Sequence, residues 1–169
     1  MTRAIPATIR ETLERSSIPD ALLAFLTIEH ENLPEPIRAV SDVLDYVWGG
    51  HVFQGVPFGF RLASDNDAAP TAELRVQNVD RVLGEAVRRL PGRARIRVEL
   101  LSSADFDLTA VPRTEIGTAT PIYAMRHFEL IDVTGQAIEV TGTVMLRDYA
   151  QEPWPGVSAT ASRCPGLFR

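Results

Sequence analysis

The sequence predicts a mainly β domain of the α+β class: a β-sandwich or barrel with one flanking amphipathic helix, a short N-terminal helix and an extended C-terminal arm. Three observations carry this reading. Apolar and polar residues alternate in many short runs, such as Ala72-Glu73-Leu74-Arg75-Val76-Gln77, which is the period of a half-buried strand. One segment changes period: Val79, Val82, Leu83, Ala86, Val87 and Leu90 fall on a single helical stripe. Beyond residue 148, Pro153, Pro155, Pro165 and two glycines disfavour regular structure. The chain therefore divides into an N-terminal helical segment over 1–20, a β-rich core over 21–147 that contains the helix 79–90, and a Pro/Gly-rich arm over 148–169.

In chain order, Pro6 suits a first helical turn, and Ile5, Ile9 and Leu13 are spaced by four, so a short helix is expected from Ala7 to Arg15. Ser16, Ser17, Pro19 and Asp20 end it. Ala21 to His30 is apolar and then alternates, the pattern of a buried strand, and Asn32, Pro34 and Pro36 mark a loop. Ile37 to Ser41 reads as a second strand. Tyr46-Val47-Trp48 and His51-Val52-Phe53 flank Gly49-Gly50, a hairpin signal. Phe58, Phe60 and Leu62 alternate with Gly59, Arg61 and Ala63, and a polar loop, Ser64 to Asp67, follows. After the strand ending at Gln77, Asn78 is a natural N-cap, Asp80 and the Arg88-Arg89 pair complement the helix dipole, and Pro91-Gly92 stops the helix. Arg95, Arg97 and Glu99 alternate with Ile96, Val98 and Leu100, giving a strand with one wet face. Ser102 to Thr114 is polar and irregular. From Thr118 the pattern is β again: Phe128 and Leu130 alternate with His127 and Glu129, Thr134-Gly135 turns the chain, and Ile138, Val140, Val144 and Leu146 form a last strand.

A chain of 169 residues with 45% hydrophobic content suits one soluble domain with a substantial core. The net charge is −5, and the 17 basic side chains are all Arg, scattered singly or in pairs, which argues against a generic nucleic-acid binder. A single cysteine, Cys164, leaves no disulfide within the chain. The N-terminus has no apolar stretch of the signal-peptide kind, and the longest apolar run, Ala21 to Leu26, is too short to cross a bilayer. Cytoplasmic synthesis without membrane insertion is the expectation.

Catalytic patterns fail on inspection. His30-Glu31 opens like a metalloprotease helix, but Pro34 stands where the second histidine would be. His51, His127 and Cys164 lack zinc-site spacing, and a Cys164–His pair has no recognisable oxyanion hole beside it. The Gly49 to Gly55 stretch lacks the Lys-Ser/Thr of a phosphate loop, and Asp65-Asn66-Asp67 lacks the calcium-loop glycine. Carboxylate pairs such as Asp42 and Asp45, or Glu11 and Glu14, arise by chance at this density. No catalytic residue, metal site or cofactor is expected, and the chain reads as a non-enzyme. The candidate interaction residues are Trp154, Pro165, Leu167 and Phe168 in the arm, because aromatic residues in an extended tail dock somewhere, on the chain's own sheet or on a neighbouring subunit.

Three segments, taken together and in order, carry a resemblance. The first is Thr27-Ile28-Glu29-His30-Glu31-Asn32-Leu33-Pro34-Glu35-Pro36-Ile37-Arg38, ending in Asp42. The second joins Phe53, Pro57-Phe58-Gly59-Phe60 and Leu62 to Ala72-Glu73-Leu74-Arg75-Val76 and Asn78-Val79-Asp80-Arg81. The third joins Glu152-Pro153-Trp154-Pro155 to Cys164-Pro165-Gly166-Leu167-Phe168. Across roughly residues 21 to 168 this set resembles a family of phage tail-associated proteins of long-tailed phages, catalogued as a domain of unknown function; Trp154 stands where members carry Phe. The resemblance implies a structural protein of the tail tip, of distal-tail or minor-tail type, with a β-sandwich or barrel fold. It implies a ring of copies of itself, six-fold, between the tail tube protein and the hub or baseplate proteins, located in the virion tail tip after assembly in the host cytoplasm. It carries over no catalytic residues. Alternatives are a threefold hub component, a tail-assembly factor absent from the virion, or a cell-wall hydrolase using Cys164 with His127 or His51. The acidic net charge would suit a lumen through which DNA slides, since like charge repels phosphate.

Overall fold

The computed structural model describes residues 10, 11, 14, 20–61, 71–77, 92–135, 139–146, 160 and 162–167. The described residues form eleven strands: β1 (Leu22–Glu29), β2 (Ile37–Val40), β3 (Tyr46–Trp48), β4 (His51–Gly55), β5 (Phe58–Arg61), β6 (Thr71–Gln77), β7 (Ala94–Ser102), β8 (Phe106–Asp107), β9 (Arg113–Glu115), β10 (Tyr123–Gly135) and β11 (Glu139–Leu146). They make one sheet in the order β5-β6-β11-β10-β7-β1-β2-β4-β3-β9-β8.

This corrects the expected class. The described residues form a single open sheet, neither a two-sheet sandwich nor a closed barrel, with β5 and β8 as its two ends. The sheet stays open because β4 pairs in parallel with β2 on one side and with its hairpin partner β3 on the other, and β3 leads on through β9 to β8, so β4 has no free side for β5. Among the described residues no α-helix forms an element; Arg10, Glu11 and Glu14 alone carry helical backbone. The expected flanking helix, 79–90, lies outside the described residues, as does the rest of the expected N-terminal helix. The described part of the arm is not extended: the N–H groups of Arg163 and Cys164 both donate to the Thr160 carbonyl, and Pro165–Leu167 is a turn of 3-10 helix.

The central strand β1 explains how one sheet can carry a full core. Its Leu26 and Ile28 point to one face and its Leu23 and Phe25 to the other, and all four are almost completely buried. On the first face Leu26 and Ile28 pack with Leu74 and Val76 of β6, Ile96 and Val98 of β7, Leu130 of β10 and Val144 of β11. For these residues to meet, the sheet must curl. Ile28 shares one small void with Leu74, Val76 and Val140, although β11 and β6 lie three and four places from β1 in the sheet order. The curl brings β4 and β5 across the gap: Val56 N–H donates to the Val40 carbonyl at 3.1 Å and Gln77 N–H donates to the Pro57 carbonyl at 3.2 Å. Each fully buried aliphatic side chain here contributes about 1.5–3 kcal/mol.

The second face of β1 carries an aromatic core. Phe25 is stacked on Phe106 and meets Tyr46, Trp48 and Phe53 edge-on, with centroid separations of 4.9–5.8 Å. The small sheet β3-β4-β9-β8 supplies all four partners. The stretch Ser102 to Thr114, read as irregular, contains β8 and the start of β9, because Phe106 is buried here and its strand pairs with β9. Most other strand expectations hold, including the hairpin around Gly49 and Gly50, whose φ values of 57° and 75° need glycine. Thr134 and Gly135 do not turn the chain: both pair with β11 inside β10, so the connection lies within 136–138, outside the described residues.

Candidate functional site

Two surface features of the sheet stand out. The first follows from a bulge in β10. Met125 pairs with Val98 and Phe128 with Ile96, so Arg126 and His127 together face the single residue Arg97. The extra residue is accommodated by His127, whose φ is 70°, in the left-handed region that a β-branched or bulky side chain rarely adopts. Next to them the ladder places Arg95 between Glu29 of β1 and Glu129 of β10. These side chains line a cleft of about 310 Å3.

The ion pairs around the cleft are loose. Arg126 lies 3.5 Å from Glu99 and Arg97 lies 3.8 Å from Glu29, at and beyond the outer limit of a hydrogen bond. Glu129 is held more closely, by Arg93 at 3.1 Å. The side chains of Arg95 and His127 make no hydrogen bond or ion pair with any described residue. A second irregularity in β10 sits at Asp132 and Val133, opposite Gly142, where a Cβ would meet the Leu130 side chain.

The second feature is at one end of the small sheet. Arg113 donates through one Nη to Asp42 at 2.7 Å and to the Tyr46 hydroxyl, and Tyr46 donates to the same carboxylate oxygen at 2.7 Å. The Arg113 Nε is buried without a hydrogen-bond partner. Burial by itself would raise the Asp42 carboxyl, but the Tyr46 hydroxyl, the Val43 N–H and the Arg113 guanidinium outweigh it and hold the group below the usual carboxylate range. Burial and the bond to Asp42 push the Tyr46 phenol up.

Around this network lies an apolar rim. β3 and β9 run parallel and β8 runs antiparallel to β9, so the segments before β3, before β9 and after β8 share one end. Asp45 C=O accepts from Arg113 N–H there, at 2.9 Å. Those segments expose Val43 (73%), Leu44 (38%), Leu108 (48%) and Val111 (85%) to solvent.

Of the residues expected from sequence to form the interaction site, two are described, and they share one turn. Trp154 and Phe168 lie outside the described residues; Pro165 is exposed and, with Leu167, belongs to the 3-10 turn. Cys164 is a free, partly exposed thiol. His30 accepts from the Asn32 N–H at the end of β1, His51 is exposed at the start of β4, and His127 sits in the bulge. Among the described residues, no three His, Cys, Asp or Glu side chains gather as a metal site would require, and no helix is long and apolar enough to cross a membrane.

Sequence reasoning passed over the bulge and the Asp42–Arg113 pair. The bulge had a legible signal, because the step from Met125 to Phe128 is three residues where strict alternation needs two or four. The ion pair spans 71 positions of sequence and had none. No curated protein matches the chain. The family model that matches is DUF1833, a domain of unknown function, over residues 8–158, and the chain therefore belongs to the DUF1833 family.

Proposed function

We propose that this chain is a structural subunit of a phage tail tip, which assembles with copies of itself into a ring joining the tail tube to the hub or baseplate. The observation that carries the reading is the apolar rim of Val43, Leu44, Leu108 and Val111. Four large apolar side chains exposed at one end of a sheet form the kind of patch that another protein surface covers. A ring of identical subunits also needs two different patches per copy, one for each neighbour. The open edges β5 and β8 at opposite ends of the sheet order offer two such places. The three ordered segments that resemble tail-associated proteins supply the setting, and the net charge of −5 suits a lumen that DNA must pass without sticking.

The test is assembly. Val43→Asp with Val111→Asp alters only exposed side chains, so the double variant keeps the wild-type circular dichroism and thermal transition. It is expected to stay monomeric by light scattering where the wild type forms a closed oligomer, and to be missing from virions. Removing residues 158–169 should likewise block assembly if the arm engages a neighbour. A wild-type chain that stays monomeric and is absent from a well-resolved tail tip refutes the reading; a truncated chain that builds infectious particles refutes the role of the arm.

A further inference from the structure

We propose that the cleft at the β10 bulge binds a small oxyanion, a carboxylate or phosphate group carried by a small polar ligand. This does not rest on the tail-tip reading. The bulge concentrates donors: by inserting one residue, it sets Arg126 and His127 opposite Arg97, with Arg95 one ladder step away. Three guanidinium groups and an imidazole thereby share one cleft of about 310 Å3, at the lower end of the size of ligand clefts. Guanidinium groups present a planar fork of donors that matches carboxylate and phosphate oxygens.

These donors are underused. The Arg95 side chain has no hydrogen-bond or ion-pair partner among the described residues, and among the described carboxylates the nearest to Arg126 and Arg97 are 3.5 Å and 3.8 Å away. Glu129 is taken up by Arg93 at 3.1 Å. A face built only for solubility would pair these charges closely or spread them apart. This one instead holds His127 at a φ of 70°, a backbone conformation that glycine would adopt without strain. Glu29 and Glu129 at the rim add acceptors, so the fitting ligand carries a hydroxyl or amine beside its oxyanion.

Isothermal titration of the full chain at low ionic strength tests the proposal, with inorganic phosphate and citrate as separate probes. Saturable binding of either is expected. Arg95→Gln and Arg126→Gln should each weaken it about tenfold, the loss of one charge-assisted hydrogen bond. His127→Gly should weaken binding while raising the melting temperature, because the substitution releases the left-handed strain. Arg75→Gln, whose guanidinium pairs with Glu73 at 2.8 Å on β6, should leave binding unchanged. Binding of phosphate alone assigns a phosphate ligand, and binding of citrate alone a carboxylate. No saturable heat with either probe at tens of millimolar overturns the proposal, as does equal affinity in the wild type, Arg95→Gln and Arg126→Gln.

Discussion

Replacing Phe25 with Ala tests whether β1 unites the two cores into one cooperative structure. Phe25 is 1% exposed and among the described residues is the one ring that contacts Tyr46, Trp48, Phe53 and Phe106, at 5.8, 5.3, 4.9 and 5.5 Å between centroids. Truncating a buried Phe to Ala costs about 3–5 kcal/mol through lost transfer energy and the cavity left behind. Each aromatic pair adds about 0.5–1.5 kcal/mol beyond its area, so four lost pairs place this site at the top of that range, about 5 kcal/mol. For a domain of this size that corresponds to a fall in melting temperature of about 10–20 °C. The assay is urea unfolding followed both by far-ultraviolet circular dichroism and by Trp48 fluorescence, in a Trp154→Phe background so that one indole reports. Trp48 donates its Nε1–H to the Ala119 carbonyl at 3.1 Å beside the ring cluster, so it senses the aromatic core directly. The two signals should coincide in the parent and in Phe25→Ala, because Phe25 and Leu26 are neighbours on one strand that serve opposite faces. A cost below about 2 kcal/mol refutes the packing argument. Fluorescence that unfolds at lower urea than circular dichroism refutes the unity of the two cores.

Two further substitutions probe single contacts. Asp42→Asn should cost about 1–2 kcal/mol at neutral pH by removing a charge-assisted partner of Arg113 and Tyr46. Because the Asp42 carboxyl lies below its ordinary range in the folded chain, its contribution is complete above that range and is lost as pH falls through the depressed native value. Urea midpoints of wild type and Asp42→Asn should therefore converge in strong acid, and a gap that is independent of pH refutes the ion-pair account. Gly55→Ala should cost about 1–3 kcal/mol by overpacking, since its Cβ would sit 2.6 Å from the Leu44 carbonyl carbon and oxygen. The same variant disturbs the Gly55 N–H bond to Asp45 at 2.8 Å, and an unchanged urea midpoint would refute the close approach.

What could be read from the chain alone was local. Alternation marked β6, β7 and β11 because a strand with one buried face repeats every two residues whatever it pairs with, and a short apolar run marked β1, which is buried on both faces. Gly49-Gly50 marked the hairpin because its turn needs positive φ, a property of those two residues. Sheet order is different in kind. Whether β4 closes on β5 or runs into β3, β9 and β8 depends on which buried faces meet, and alternation is the same in both cases. Phe106 was read as part of an irregular stretch because its two-residue strand is too short to show a period, and only its place against Phe25 makes it core. The surface features are non-local for the same reason. The apolar rim exists because parallel pairing of β3 with β9 brings Val43 and Val111 to one end, and the cleft exists because β7 places Arg95 and Arg97 beside a bulge in β10. The sequence by itself determined the alternating strands, the Gly49-Gly50 hairpin and the exposure of Arg95 and Arg97 on β7, since these follow from the chemistry of adjacent residues, whereas Glu99, expected on the same wet face, is buried. The tertiary structure determined the open sheet, the two cores and both candidate surfaces, since each requires side chains far apart in the chain to share one place.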